Sequence, residues 1–151
     1  MMSKVMLDTN ILVYAYDSSA GEKQQLSLQV LDHLVRIDRG VVSPQVLGEF
    51  FVTVTQKIFE PLSFSQAAER VQRFIQLWPV LGLNEMIVGE AVRGVRDHRF
   101  SYWDAQIWAC ARLNQVEMVF SEDFAHNSTV DGVRFINPLL RGFNIDKIFS
   151  S

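Results

Sequence analysis

The chain has 151 residues, of which 48% are hydrophobic, and a formal net charge of −3. This length predicts one domain over residues 1–151, with a core large enough to be stable without disulfides. No apolar run approaches the roughly 18 to 20 residues of a membrane span, which predicts no membrane partner. The first residues lack the pattern of a secretion signal and Cys110 is the lone cysteine, which together favour the cytoplasm.

Short apolar segments alternate with helical patterns in the first half of the chain. Residues 5–7 predict a buried strand, and apolar residues at helical spacing after Gly21 predict a helix. Residues 41–42 predict a second strand. Ser43 then has the properties of an N-cap, with proline in the first helical position, which predicts a helix over 44–59.

The second half continues the alternation. Its predicted elements are a helix over 65–77, an apolar stretch at 80–83, a helix to Arg96 capped by Asn84, a buried helix over 102–113 capped by Ser101, and strands over 117–120 and 133–136 separated by a polar loop. The alternation predicts an α/β fold, in which helices cover both faces of a parallel sheet. Ligands of such sheets bind outside the carboxyl ends of the strands.

Four acidic residues are predicted to lie at that edge of the sheet: Asp8, Glu49, Asp104 and Asp123. Each has a structural explanation when it is considered alone. Asp8 is suited to cap a helix, Glu49 lies on a polar helix stripe, Asp104 forms a capping-box pattern with Ser101, and Asp123 suits a loop. Only their convergence from distant parts of the sequence indicates a functional site.

Clustered carboxylates repel one another unless cations or bound protons relieve the repulsion. Oxygen ligands without an accompanying cysteine or histidine cluster favour Mg²⁺ or Mn²⁺, which can promote phosphodiester cleavage. The sequence contains no GxGxxG, HExxH or GxSxG motif. A nucleophilic-aspartate phosphatase would have a second acid two residues after Asp8, where this chain has Asn10.

The one compact basic cluster comprises Arg93, Arg96, His98 and Arg99. One interpretation is a solvated helix end, at which cations complement the helix dipole. The other is a basic strip, with Arg93, Arg96 and Arg99 holding backbone phosphates of RNA in a protein that is otherwise acidic.

Four segments resemble, in order, the motifs of PIN-domain proteins: VMLDTNILVYAYD, SPQVLGEFF, FSYWDAQIWACARL and VFSEDFAHNSTVDGVRFINP. The similarity is strongest to the VapC-like toxin ribonucleases of bacterial toxin-antitoxin pairs. It implies a Rossmann-like three-layer sandwich with a central parallel sheet, and Mg²⁺- or Mn²⁺-dependent cleavage of RNA. It also implies a homodimer and a cognate antitoxin that blocks the site.

By position, the resemblance makes Asp8, Glu49, Asp104 and Asp123 the first to fourth acids of the family. Asp8, Glu49 and Asp104 are expected to hold the principal metal ion, while Asp123 contributes to a second ion or to the attacking water. Asn10 and Ser121 match supporting polar positions, and Glu122 is an alternative to Asp123. In-line displacement would leave a 5′-phosphate and a 3′-hydroxyl.

Two other functions are compatible with the same residues. One is a PIN-like module that binds RNA or a protein without cleaving, and the other is a small-molecule phosphatase. A PIN nuclease of this kind can also serve in RNA processing rather than as a toxin. The sequence specifies neither the RNA target nor the preferred metal.

Overall fold

The structure is a computed structural model and describes residues 3–149. Its strands are β1 (Val5–Leu7), β2 (Gly40–Val41), β3 (Met118–Phe120), β4 (Thr129–Val130) and β5 (Val133–Ile136). Its helices are α1 (Thr9–Tyr14), α2 (Glu22–Ile37), α3 (Pro44–Gln56), α4 (Phe64–Leu77), α5 (Glu85–His98), α6 (Tyr102–Leu113) and α7 (Ile145–Phe149), with a 3-10 turn at Ser18–Ala20.

The strands form one sheet in the order β2-β1-β3-β5-β4, with β1, β2, β3 and β5 parallel. All three residues of β1 have no exposed surface, and every residue of β3 is buried. Because successive side chains of a strand point to opposite faces, both faces of the sheet are covered. The predicted α/β fold with a covered, mainly parallel sheet is confirmed.

The predicted helix starts are confirmed by side-chain caps. The side chains of Ser43, Asn84 and Ser101 each accept a hydrogen bond from a backbone N–H of the following turn, at 3.3, 3.0 and 3.3 Å. The end of α3 at Gln56 is earlier than the predicted Phe59. The predicted start at residue 65 is also late, since Ser63 caps α4 through a capping box.

Three elements were missed by the sequence patterns. Helix α1 follows β1 without a loop and was not predicted as an element, although Asp8 caps it, one of the roles that the sequence allowed for this residue. β4 lies within the segment predicted to be a polar loop, and α7 lies beyond the last predicted strand. β4 is antiparallel to β5 because a tight turn joins them. The apolar stretch at 80–83 is not a named strand, although Val80 forms a parallel bridge to Val42. None of the helices in residues 3–149 has the length and apolar character needed to cross a bilayer.

Helix α6 is buried from Ala105 to Ala111, as its nearly continuous apolar sequence predicts. It packs against α5, where Gly94 faces the ring of Trp108. A Cβ atom at residue 94 would lie 2.8 Å from Cζ3 of that ring, closer than real Cβ contacts. Gly89 of the same helix faces open space. Close approach of the two helices therefore requires glycine at 94 and not at 89.

This difference gives a matched pair of substitutions. We expect Gly94→Ala to lower the free energy of unfolding by about 1 to 3 kcal/mol, because the added methyl overpacks the α5–α6 contact. We expect Gly89→Ala to raise it by up to about 1 kcal/mol, because alanine favours the helix. Urea unfolding followed by circular dichroism measures both, and equal effects of the two substitutions would contradict the packing.

Candidate metal centre

Asp8 is the most buried of the four predicted acids, with 4% of its surface exposed. It comes directly after β1, and its backbone N–H donates to the carbonyl of Phe120 at 3.0 Å. Its Oδ1 accepts from the backbone N–H of Thr9 at 2.7 Å, and its Oδ2 accepts from the hydroxyl of Ser121 at 2.6 Å. These bonds fix the carboxyl group at the carboxyl edge of the sheet.

Burial raises the pKa of Asp8 from 3.8 to about 7. The hydrogen bonds from Ser121 and Thr9 oppose this rise, whereas the charges of Asp123 and Asp104 add to it. With a pKa of about 7, this carboxyl group is roughly half protonated at neutral pH, and a bound cation would favour its ionised form.

Asp104 and Asp123 converge on Asp8 from other parts of the fold. Each of the three offers a carboxylate oxygen, and these oxygens all lie within 4.8 Å of one another. Asp104 is in the first turn of α6, and Asp123 is in the loop after β3. Burial is also the largest cause of the raised pKa of both residues. The nitrogen of the Asn10 amide donates to Asp123 at 3.0 Å.

Glu49 lies at the margin of this three-carboxylate cluster and not within it. It lines the same cavity of about 280 Å³, together with Asp8, Asp104 and Asp123. The hydroxyl of Thr9 donates to Glu49 Oε2 at 3.2 Å. The charge of Glu49 contributes to the raised pKa of Asp104 and of Asp123. All four predicted acids thus surround one cavity, three of them closely.

Glu49 is held by a series of side-chain hydrogen bonds. No sequence pattern indicated these bonds. The hydroxyl of Tyr102 donates to Gln106 at 2.9 Å, Gln106 donates to Gln45 at 2.6 Å, and Gln45 donates to Glu49 at 2.6 Å. Gln106 is only 6% exposed within the apolar helix α6. The one sequence feature that could have indicated these bonds is a glutamine within an apolar helix, because buried side-chain amides require hydrogen-bond partners.

Glu122 has different partners from its neighbour Asp123. It accepts a short hydrogen bond from the hydroxyl of Tyr14 and forms an ion pair of 3.0 Å with Lys23. The ammonium of Lys23 also lies 5.0 Å from the centre of the Tyr14 ring. Asp123 and not Glu122 is therefore the member of the carboxylate cluster.

The predicted basic strip is largely neutralised by acids. Arg93 pairs with Glu90 and, at 2.8 Å, with Asp131, and Arg96 pairs with Asp97 at 2.7 Å. His98 also contacts Asp131, at 3.1 Å. Arg99 is exposed, and its guanidinium has no acidic partner among residues 3–149. The strip thus presents one unpaired arginine instead of three.

The donors around the cavity fit a divalent cation that prefers oxygen ligands. The clustered carboxylates have raised pKa values, and a cation would favour their ionised forms. The carbonyl oxygen of the Asn10 side chain is buried in the same cavity wall and has no hydrogen-bond partner within residues 3–149. Oxygen ligands of this kind suit Mg²⁺ or Mn²⁺.

The family model of the PIN domain matches residues 5–130. The chain belongs to the PIN-domain family. This confirms the family that the four sequence segments indicated. No curated protein sequence matches the chain significantly.

The solved structures of similar fold include proteins of toxin-antitoxin pairs. A toxin-antitoxin complex from Klebsiella pneumoniae aligns with TM-score 0.65 and 17% identity, over 89% of this chain and 98% of the other. VapC20 of Mycobacterium tuberculosis, described as a Sarcin-Ricin loop cleaving toxin, has TM-score 0.59 and 18% identity, over 87% and 99%. DNA-bound VapBC from Salmonella typhimurium has TM-score 0.61 and 18% identity, over 89% and 97%. At these identities the similarity establishes the fold.

The raised pKa of Asp8 predicts a pH-dependent stability for the metal-free PIN domain. The unfolded chain releases this proton near pH 3.8, whereas the folded state keeps it up to about pH 7. The folded state binds more protons between these values, so the free energy of unfolding falls as the pH rises. Relative to Asp8→Asn, the wild type should lose roughly 1 to 4 kcal/mol across this interval. Urea unfolding in EDTA measures the difference, and a constant difference would refute the assignment.

Proposed function

We propose that this PIN domain is a divalent-metal-dependent endoribonuclease that hydrolyses RNA phosphodiester bonds. The observation that carries the proposal is the convergence of Asp8, Asp104 and Asp123 within 4.8 Å at the carboxyl edge of the sheet. The VapC and VapBC folds among its structural neighbours further support a toxin of a type II toxin-antitoxin pair.

We infer that Asp8, Asp104 and Asp123 hold the principal Mg²⁺ or Mn²⁺ ion. Among the acidic residues of the cavity, these three have the carboxylate oxygens that lie closest to one another. Glu49, assigned to that ion from the sequence, lies at the margin of the cluster, where it can bind a second ion or a water molecule. When bound, a divalent ion activates water and stabilises the leaving oxygen in phosphodiester hydrolysis. The expected products are a 5′-phosphate and a 3′-hydroxyl.

The supporting residues act on the carboxylates. Ser121 and the Thr9 amide each occupy one oxygen of Asp8, which sets the direction of the remaining lone pairs. The hydroxyl of Ser121 also accepts from the backbone N–H of Asp123 at 3.0 Å, so it links two acids. Asn10 orients Asp123 without adding charge. Such outer partners position ligands and tune their basicity.

The two alternative functions account for the site less well. Two charges about 4 Å apart repel by roughly 1 kcal/mol in water and about 4 kcal/mol near a protein surface. A module that binds without cleaving gains nothing from this repulsion. A nucleophilic-aspartate phosphatase needs an acid where Asn10 lies, and Asn10 is engaged with Asp123. Assays with generic phosphoesters and with RNA separate these functions.

We expect Asp8→Asn to abolish Mg²⁺-dependent RNA cleavage and to leave the fold intact, because the substitution removes the central ligand charge. EDTA should abolish cleavage by the wild type, and added Mg²⁺ or Mn²⁺ should restore it. Asp32→Asn is the matched control, since Asp32 is exposed on α2 and pairs with Arg36. Gel assays with purified protein measure cleavage. Cleavage by Asp8→Asn equal to that of the wild type would refute the assignment.

We also propose a homodimer and a small antitoxin that covers the site, in the cytoplasm. The antitoxin proposal is supported by the VapBC complexes among the neighbours, such as those of Salmonella typhimurium and Rickettsia felis. We expect the purified chain to have twice the monomer mass by light scattering. Co-expression with a small antitoxin-like protein, if one is encoded next to this chain, should add the mass of that protein and suppress cleavage. A monomer that does not bind that protein would contradict both proposals.

For the basic strip, we propose that Arg99 contacts backbone phosphates of the RNA. Arg93 and Arg96 are engaged with acids, and Arg93 lies over the ring of Trp108 at 5.3 Å, so their larger role is in packing and ion pairing.

A further inference from the structure

A second cavity, of about 600 Å³, adjoins the carboxylate cavity. The two share Gln45, Glu49, Thr53 and Trp103 in their walls, so they form one continuous depression. The carboxylate cluster accounts for one end of this depression. The other end is lined by Trp103, which also borders the carboxylate cavity, and by Lys57, and the proposed cleavage assigns neither residue a role.

Trp103 is unusual among the tryptophans of this chain. It is 60% exposed, whereas Trp78 and Trp108 are 2% and 0% exposed. Tryptophan is highly buried on average, so an exposed indole ring beside a polar site requires an explanation. Two contacts involve this residue, one at its ring and one at its backbone. Tyr102 packs against it edge-on with ring centres 5.0 Å apart, and Gln45 donates to its backbone carbonyl at 3.4 Å.

Lys57 supplies positive charge at the same end of the depression. It is the C-cap of α3 and is exposed, and its ammonium has no acidic partner within residues 3–149. Lys23, by contrast, is paired with Glu122, the neighbour of Asp123. An unpaired ammonium and an open indole face in one cavity match the two chemical features of a nucleotide, its phosphate and its base.

We propose that Trp103 and Lys57 form a nucleotide subsite. Trp103 stacks on a base of single-stranded RNA next to the scissile phosphate, and Lys57 binds the adjoining backbone phosphate. This inference rests on the proposed ribonuclease function and specifies its substrate, since only an unpaired base can stack on a protein ring in this way. The subsite places the RNA backbone across the carboxylate cluster.

A protein segment is a less suitable occupant of this cavity. The neighbouring groove between α3 and α4 is lined almost entirely by apolar groups, including Leu47, Phe51, Val71 and Ile75, and contains no cation. An apolar peptide would favour that groove. The Trp103 cavity instead combines an aromatic face with Lys57 and the amide of Gln45, which suits a base and a phosphate.

Tryptophan fluorescence tests the stacking directly, because Trp103 is the exposed emitter. The measurement uses Asp8→Asn with Mg²⁺, so that the RNA stays intact, and a short single-stranded RNA pool of random sequence. RNA should quench the emission, whereas an abasic oligomer with the same phosphates should bind more weakly and leave the emission unchanged. Trp103→Phe in the same background should remove the quenching and retain most of the affinity.

Trp103→Ala in that background should lower RNA affinity roughly 5- to 150-fold, the usual effect of losing one stacked base. It should not change the affinity for the abasic oligomer. Phe64→Ala is the matched control, because Phe64 is 68% exposed and lies outside both cavities. Circular dichroism checks that each variant is folded.

Lys57→Ala should weaken RNA binding and reduce the slope of log affinity against log salt by about 0.7, the value for one phosphate contact on a single strand. Lys57→Arg should restore the slope. Lys4→Ala is the control, because Lys4 is exposed and lies outside the depression.

Unchanged emission with bound RNA, or equal loss of base-containing and abasic affinity in Trp103→Ala, would overturn the subsite. Quenching by the co-expressed antitoxin and not by RNA would also overturn it, and would assign the surface to a protein partner. Wild-type cleavage of RNA tests the proposed function separately. A chain that cleaves RNA but shows none of these Trp103 effects refutes the subsite alone.

Discussion

The buried carboxyl group of Asp8 is the feature on which the rest of the site depends. It lies at the end of a strand with no exposed surface, between β2 and β3, where an isolated charge would be costly. Ser121 and the Thr9 amide satisfy its oxygens, yet its pKa still rises to about 7. Near neutral pH the folded chain is therefore partly protonated at the place where the proposed function requires a cation. Cation binding and proton release are coupled at this one group.

The parallel register of the sheet explains why Asp8 meets Ser121. Leu7 of β1 pairs with Phe120 of β3, so the residue after each strand emerges at the same level. The hydroxyl and the carboxyl group are then 2.6 Å apart although 113 positions separate them in sequence. Asp104 and Glu49 reach the site by another route, because they lie in the first two turns of helices, α6 and α3, that begin at this edge. The site is thus a consequence of strand order combined with helix capping.

Strand order and helix capping also explain which parts of the site could be predicted from the sequence. The strand ends and the caps Ser43 and Ser101 are local patterns, and they were sufficient to bring the four acids to one edge. Distances within the cluster depend on tertiary packing, so the marginal position of Glu49 was not predictable. The hydrogen bonds from Gln106 to Gln45 and from Gln45 to Glu49 join α6 to α3. They depend on how the two helices pack, so no local sequence pattern indicates them. Likewise, α1 was not predicted as a separate helix because no loop separates it from β1, although Asp8, which caps it, was identified as a candidate N-cap.

The charge of the chain limits how it can bind a polyanion. With a net charge of −3 and clustered acids, long-range attraction cannot concentrate RNA at the cavity. Most arginines of the basic strip are paired, which removes much of the remaining positive potential. Binding must then rely on short-range contacts that tolerate a negative site. The proposed base stack on Trp103 is such a contact, because stacking does not depend on net charge, and a bound divalent cation would offset part of the negative charge of the carboxylate cluster.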